Sequence, residues 1–183
     1  MTTAQAESII PTGSWRSDRV HSRVAFSVKH MVVATYRAGF DDFDIRLSDE
    51  GGEPKIVGEA KIESIESRDE EQRGHLLSPD FFDAERYPTI GFQSTSIRRD
   101  GDQLTVDGDL TIKGITRRVT ATGEISGPVV DIADTEKIGI DLETKVDRTD
   151  FGLNWNAPLP KGGVAVDNEV TLTVQLELVK EQN

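Results

Sequence analysis

His75-Leu-Leu-Ser-Pro-Asp-Phe-Phe-Asp-Ala-Glu-Arg-Tyr-Pro88 reads as the one long, apolar-bearing connection in a chain that otherwise alternates as strand. On either side of it, apolar and polar residues trade places at every second position, the period of a half-buried β-strand. Just upstream, Ser67-Arg-Asp-Glu70 matches an S-x-x-E capping box, and its early acids favour a helix N-terminus. The pattern predicts a helix from Arg68 to Leu77, of about two to three turns, buried through Leu76 and Leu77. Ser78-Pro79 repeats the start signal, a serine N-cap before a first-turn proline, so Asp80 to Ala84 is read as a further short turn of helix. Tyr87-Pro88 must leave helical geometry. Phe81 and Phe82 make the stretch a candidate lid or wall of an apolar cavity. Paired aromatics on a capped short helix are usually core, which favours a plug over direct contact with a ligand.

Moving outward from this stretch, the chain reads as strands. Residues 1 to 12 lack periodicity and are expected to be a mobile arm, with a single domain over 13 to 180. Val24, Phe26, Val28 and His30 share one face, and His21-Ser22 can shape the entry to that strand through a side-chain hydrogen bond. Val32 to Phe40 continues with Ala34, Tyr36, Ala38 and Phe40 on even positions, whereas Phe43, Ile45 and Leu47 are odd. That parity switch requires a bulge or bend near Asp41-Asp42, beside Gly39. Asp49-Glu-Gly-Gly-Glu-Pro54 is a turn by composition. Ile56, Gly58, Ala60, Ile62 and Ser64 form the next face.

After Pro88 the alternation returns at Ile90, Phe92, Ser94 and Ser96. Asp100-Gly101 and Lys113-Gly114 mark tight turns. Ser126-Gly-Pro128 breaks the run that precedes the face Ile138, Ile140, Leu142, Thr144 and Val146. A loop rich in Gly, Asn and Pro spans about 150 to 163. Val170, Leu172, Val174, Leu176 and Leu178 form the last and most regular strand. A long apolar edge invites aggregation, so the economical arrangement is a closed sheet.

The 183 residues carry 36% hydrophobic and 30% charged side chains, with a formal net charge of −12. Such a charge repels nucleic-acid phosphates and anionic headgroups, so neither nucleic-acid binding nor a stable membrane anchor is expected. No run approaches the roughly 18 apolar residues of a membrane span. Residues 1 to 8 show no basic, apolar leader, and the expected location is the cytoplasm, with a mature secreted form of the same appearance. Cysteine is absent, so disulfides, thiolate metal sites and cysteine nucleophiles are ruled out.

His21, His30 and His75 could converge with carboxylates on a metal, but no pair has ligand spacing. Ser22 and Ser78 stand near His21 and His75 without a nucleophile elbow, and read as caps. Asp41-Asp42, Asp69-Glu70-Glu71 and Asp80 with Asp83 read as solvated faces. Asp107-Gly-Asp109 is too short for a calcium loop, and Gly162-Gly163 is no phosphate-binding loop. No cofactor is expected. The informative residues are the seven phenylalanines, spread through the strands and the central insertion. They make either an aromatic core or the lining of a hollow barrel, with small Gly58, Ala60, Ala121 and Gly123 favouring space.

Trp15, His21-Ser-Arg-Val-Ala-Phe-Ser-Val-Lys-His30, Gly39-Phe40 with Phe43, and Arg73 to Pro88 resemble successive motifs of the YceI-like, polyisoprenoid-binding family. Phe92 with Ser94, Gly108 to Thr116, Arg148-Thr-Asp-Phe-Gly-Leu153 and Val166 to Glu177 continue the resemblance in order, over about Trp15 to Leu178. The resemblance implies an all-β, lipocalin-like antiparallel barrel of about eight strands with one short helical insertion. It also implies a long apolar ligand in the barrel, such as a polyisoprenoid, an isoprenoid quinone or a fatty amphiphile, and it carries over no catalytic residues. Some members of that family are exported, a role that the N-terminal residues here do not suggest. The residues expected to line the pocket are Phe26, Val28, His30, Phe40, Phe43, Phe81, Phe82, Phe92, Leu110, Ile112, Phe151 and Trp155. Arg148, Asp150, Asn154 and Trp155 are candidates to hold a headgroup at the mouth. The alternatives are a histidine- or metal-dependent enzyme or stress protein, and an interaction module that pairs as a homodimer through an exposed edge or face.

Overall fold

The computed structural model describes residues 9–49 and 52–182. It contains β1 (Ser14–Ser17), β2 (Arg23–His30), β3 (Ala34–Phe40), β4 (Phe43–Ser48), β5 (Lys55–Lys61), α1 (Glu70–Leu77), β6 (Thr89–Asp100), β7 (Gln103–Ile112), β8 (Ile115–Val130), β9 (Glu136–Asp147) and β10 (Val166–Lys180). The strands pair antiparallel in the order β1-β4-β5-β6-β7-β8-β9-β10, and β10 returns to β1 through Trp15↔Lys180 and Ser17↔Leu178. The first half of β10 pairs instead with β2, which pairs with β3. β1 and β2 are thus one stave broken at residues 18–22, and β3 and β4 another broken at 41–42. The ten segments make a closed barrel of eight staves, the all-β architecture expected.

Both breaks have local causes. At the first, the Ser22 hydroxyl stands in for the ladder: it donates to Glu177 O (3.2 Å) and accepts from Glu177 N (3.0 Å). At the second, Asp42 N donates to Ser64 Oγ (2.9 Å), and the buried face passes from Ala38 and Phe40 to Phe43, Ile45 and Leu47. Gly39 leaves room there for the Glu66 carboxylate. A Cβ would meet Glu66 Oε2 at 2.9 Å, the same carboxylate that accepts from Gly39 N and from Arg23.

The structure corrects several sequence expectations. Residues 31–33 are not extended but form a reversal between β2 and β3, although Met-Val-Val offers no turn residue. β8 runs through Ser126-Gly-Pro128, absorbing it as a register shift between Ser126 and Val129. A second shift, between Ser94 and Ser96, moves the buried face of β6 from Ser94 to Ile97. Ile10, placed in the expected mobile arm, is 1% exposed because it fills one end of the barrel core. The rest of that arm, residues 1 to 8, and the centre of the turn at 49–54, Glu50 and Gly51, lie outside the described residues.

The two ends of the barrel differ. At the β1 end, Ile10, Trp15, Leu47, Leu104, Ile125, Ile138, Ile140 and Leu178 are fully buried and pack solid. Each such side chain contributes about 1.5–3 kcal/mol on burial. The Trp15 indole donates to Pro11 O (3.1 Å), which ties the chain start across this end. The other end, where β2 turns into β3 and β10 begins, is not packed solid.

Candidate functional site: an apolar cavity in the barrel

At the open end, β3 pairs with β2 on one edge only. On its other edge, among the described residues, its sole bridge is Phe40↔Ile65. β5 has already ended at Lys61, so a gap lies between β3 and β6. Residues 66–88 fill it. The stretch that broke the alternation is therefore a panel of the barrel wall.

The panel is held by capping and by anchors. Asp69, not Ser67, caps α1, its carboxylate accepting from Gln72 N (2.8 Å). Ser67 is engaged by the main chain of Asp69 and by Gln72 Oε1, so it cannot reach the third amide of the helix. Ser78 is the C-cap and its hydroxyl donates to His75 O (2.7 Å). Residues 79–84 are successive turns and not helix: Phe82 N donates to Leu76 O and Ala84 N to Leu77 O, folding the chain back onto the end of α1. Lys113, from the β7–β8 turn, donates to Pro79 O (2.8 Å) and pins the panel's far side.

Two adjacent apolar chambers lie behind it. The upper, of about 210 Å³, reaches the mouth and is walled by β2, β3, α1, the Phe81-Phe82 turn and the loop before β10. The lower, of about 150 Å³, lies deeper among β4 to β10. Phe40, Ile90, Ile112 and Leu172 line both and stand between them. Each alone is smaller than the ~300–1,000 Å³ usual for ligand cavities, a range that only the two acting as one would reach.

Aromatic rings shape the upper chamber. Phe26 has its centroid 6.1 Å from Tyr36, 6.0 Å from Phe40 and 6.3 Å from Phe82. Nearer the mouth, His75 packs edge-on to Phe81 (4.9 Å) and Trp155 (4.8 Å). Its Nε2 lies 3.1 Å from Asp80 Oδ2.

Polar atoms are few. Arg148 is 5% exposed and lines the upper chamber. Its guanidinium donates to the carbonyls of Leu153 (2.6 Å), Trp155 (2.9 Å), Val166 (3.3 Å) and Asp167 (2.8 Å). Burial lowers its pKa, but arginine stays protonated in any case. One charge thus organises the loop of residues 152–166, and four of its five N–H donors are used. The Tyr36 hydroxyl is buried with no hydrogen-bond partner among the described residues, and burial holds it above the usual phenol range. A buried polar atom left unpaired costs about 1–3 kcal/mol, so this hydroxyl is poised for a ligand atom or a water.

Of the expected lining residues, Phe26, His30, Phe40, Phe81, Phe82, Ile112, Phe151 and Trp155 border the upper chamber. Phe92 and Leu110 border the lower one, with Phe40 and Ile112. Val28 and Phe43 border neither: Val28 lies between its ladder neighbours Val170 and Tyr36, and Phe43 is packed in the core. Of the headgroup candidates, Arg148 and Trp155 reach the cavity, whereas Asp150 and Asn154 do not. Gly58, Ala60 and Ala121 do border the lower chamber. Gly123 is small for another reason: a Cβ there would collide with Asp141 O on β9. Sequence reasoning missed Tyr36, Leu76, Ile90, Leu153 and Leu172 as lining residues. All but Leu153 lay on apolar patterns already read, and the even parity that places Tyr36 beside Phe40 could have found it.

The histidines do not converge. His21 alone meets two carboxylates, Asp18 Oδ2 at 2.9 Å and Glu177 Oε1 at 3.8 Å, outside the barrel. Lys137 Nζ already sits 2.6 Å from Glu177 Oε1, so that cluster carries its own cation. Ser22 and Ser78 spend their hydroxyls on main-chain groups and not on a histidine ring.

Fold and cavity together define the class: a closed antiparallel barrel, packed at one end and hollow and apolar towards the other. The YceI-like domain model matches residues 15–178, and the chain belongs to that family. It is 30% identical over 164 residues to a UPF0312 protein of Staphylococcus aureus (strain N315), covering 87% of this chain and 94% of that one. Solved structures similar to it include Burkholderia cenocepacia BcnA, with a TM-score of 0.73 and 23% identity over 90% of this chain and 99% of that one. A Campylobacter jejuni YCEI protein follows, with a TM-score of 0.72, 23% identity, and 84% and 90% coverage. A polyisoprenoid binding domain from Saccharophagus degradans has a TM-score of 0.67 at 11% identity, covering 93% of this chain and all of that one.

Proposed function

We propose that the protein binds one long apolar chain, a polyisoprenoid, isoprenoid quinone or fatty amphiphile, as a carrier or store and without catalysis. The observation that carries this reading is the pair of adjacent apolar chambers that share four wall residues, with a Tyr36 hydroxyl beside them that has no partner among the described residues; in this reading the shared residues form a neck through which the chain passes. The tail threads the neck at Phe40 and Leu172 into the lower chamber. The polar head stays near Tyr36, the remaining Arg148 N–H and the mouth. Each buried methylene contributes about 0.8 kcal/mol, so a chain of this kind needs no ionic clamp. Family membership and the fold shared with a polyisoprenoid binding domain support the same reading.

A chain-length series tests it. Delipidated protein is titrated with fatty alcohols and polyprenols of rising length. Kd should fall by up to about fourfold per added methylene until the lower chamber is full, then level off. Affinity independent of length, or shown only by water-soluble compounds, would overturn the reading.

A further inference from the structure

The β2–β3 turn is exposed, apolar and strained at once. Val32 is 61% exposed and Val33 86%, and Met31 is also exposed. Met31 and Val32 adopt φ of 51° and 67°, left-handed values that β-branched residues rarely take and that Asn-Gly would take without strain. Met31 N donates to Ala165 O (2.8 Å), which brings exposed Val164 alongside, and the turn at 159–163 packs on Val32. The patch adjoins the mouth: His30, one residue back, and Val166, one past Ala165, both line the upper chamber.

Unpaired cations gather around it. Of the 21 lysines and arginines, five make no side-chain hydrogen bond or ion pair among the described residues: Lys29, Arg37, Lys55, Arg68 and Lys161. Three of the five lie on this hairpin and the turn packed against it. Of the acids at the start of β10, Glu169 is engaged by Lys145 and only Asp167 remains to offset them. The other exposed apolar hairpin tip, Val129, Val130 and Ile132, stands at the opposite, packed end and carries Asp131 and Asp134.

We propose that Met31-Val32-Val33, with Val164 and a collar of Lys29, Arg37 and Lys161, docks on an anionic lipid bilayer and holds the cavity mouth against it. The proposal rests on the lipid-carrying reading of the cavity. The valines enter the headgroup layer and the cations meet lipid phosphates, a shallow and reversible contact.

Flotation with vesicles of phosphatidylcholine, with and without phosphatidylglycerol, tests it. The protein should float with the anionic vesicles and not with the neutral ones. Met31→Asn with Val32→Gly keeps the two left-handed turn positions, so this double variant should hold or raise Tm yet lose at least about tenfold in partitioning. Lys29→Glu and Lys161→Glu should each cost about fivefold or more on anionic vesicles. Wild type that stays in the soluble fraction, or a double variant that floats as well as wild type, overturns the proposal. Binding of a fluorescent fatty acid is measured in parallel without vesicles. Probe bound without flotation rejects only the docking surface. Flotation without probe binding rejects the cavity reading and leaves the surface standing.

Discussion

Phe82 sets its ring 6.3 Å from that of Phe26, at 64°, across a gap in the barrel wall that no strand spans among the described residues. It also meets Phe40 at 6.1 Å and 81°. The contact closes the wall and lines the chamber at once. Phe82→Ala should cost about 3–5 kcal/mol in urea unfolding, since a buried ring is lost and the panel cannot collapse into the void. A cost under about 1 kcal/mol would show that residues 66–88 are an appendage and not part of the wall.

Tyr36→Phe removes a hydroxyl that has no partner among the described residues. The ligand-free protein should keep its stability or gain up to about 1 kcal/mol, because a desolvated polar atom is lost without breaking a bond. Affinity for a polar-headed chain should fall, while affinity for a plain hydrocarbon should not. Equal losses for both ligands would place the headgroup elsewhere.

Arg148 holds four carbonyls from one planar fork, which lysine cannot reproduce. Arg148→Lys should therefore destabilise the fold by at least about 3 kcal/mol. Hydrogen exchange should locate the loss of protection at residues 152–166. Unchanged protection there would remove the arginine from its organising role.

His21 is held above the usual imidazole range, first by its hydrogen bond to Asp18 and then by charge from Asp18 and Glu177. Folding thus favours the protonated ring. Its contribution is complete below the unfolded value of about 6.5 and is lost as pH rises through the raised folded value. Asp18, held low chiefly by the same bond, contributes above its unfolded value of about 3.9 and loses that contribution as pH falls through its lowered one. Tm of wild type and His21→Gln should differ most between about pH 4 and 6.5 and converge at alkaline pH. A difference independent of pH would mean that the ion pair carries none of it.

The barrel was legible because period-two alternation survives wherever one face is buried. The parity switch between Phe40 and Phe43 revealed the broken stave for the same reason. The reversal at Met31-Val32-Val33 was not legible: its backbone is held by hairpin pairing and by Ala165 O, against the preference of its residues. The cap moved from Ser67 to Asp69 because motif spacing does not say which oxygen is already occupied. Phe43 and Phe92 look alike in sequence. One packs in the core and the other lines the lower chamber, a difference made by partners distant in the chain. The wall panel needed the topology, since only the missing neighbour of β3 gives residues 75–88 their place.

Native mass spectrometry of the protein purified without delipidation tests the central claim most directly, with Leu172→Trp to block the neck between the chambers. Wild type should carry one apolar adduct per chain that organic extraction removes and an added polyprenol or fatty alcohol restores, while the folded Leu172→Trp variant carries little or none. A wild type that is folded, adduct-free and unable to take up any chain after extraction would contradict the account.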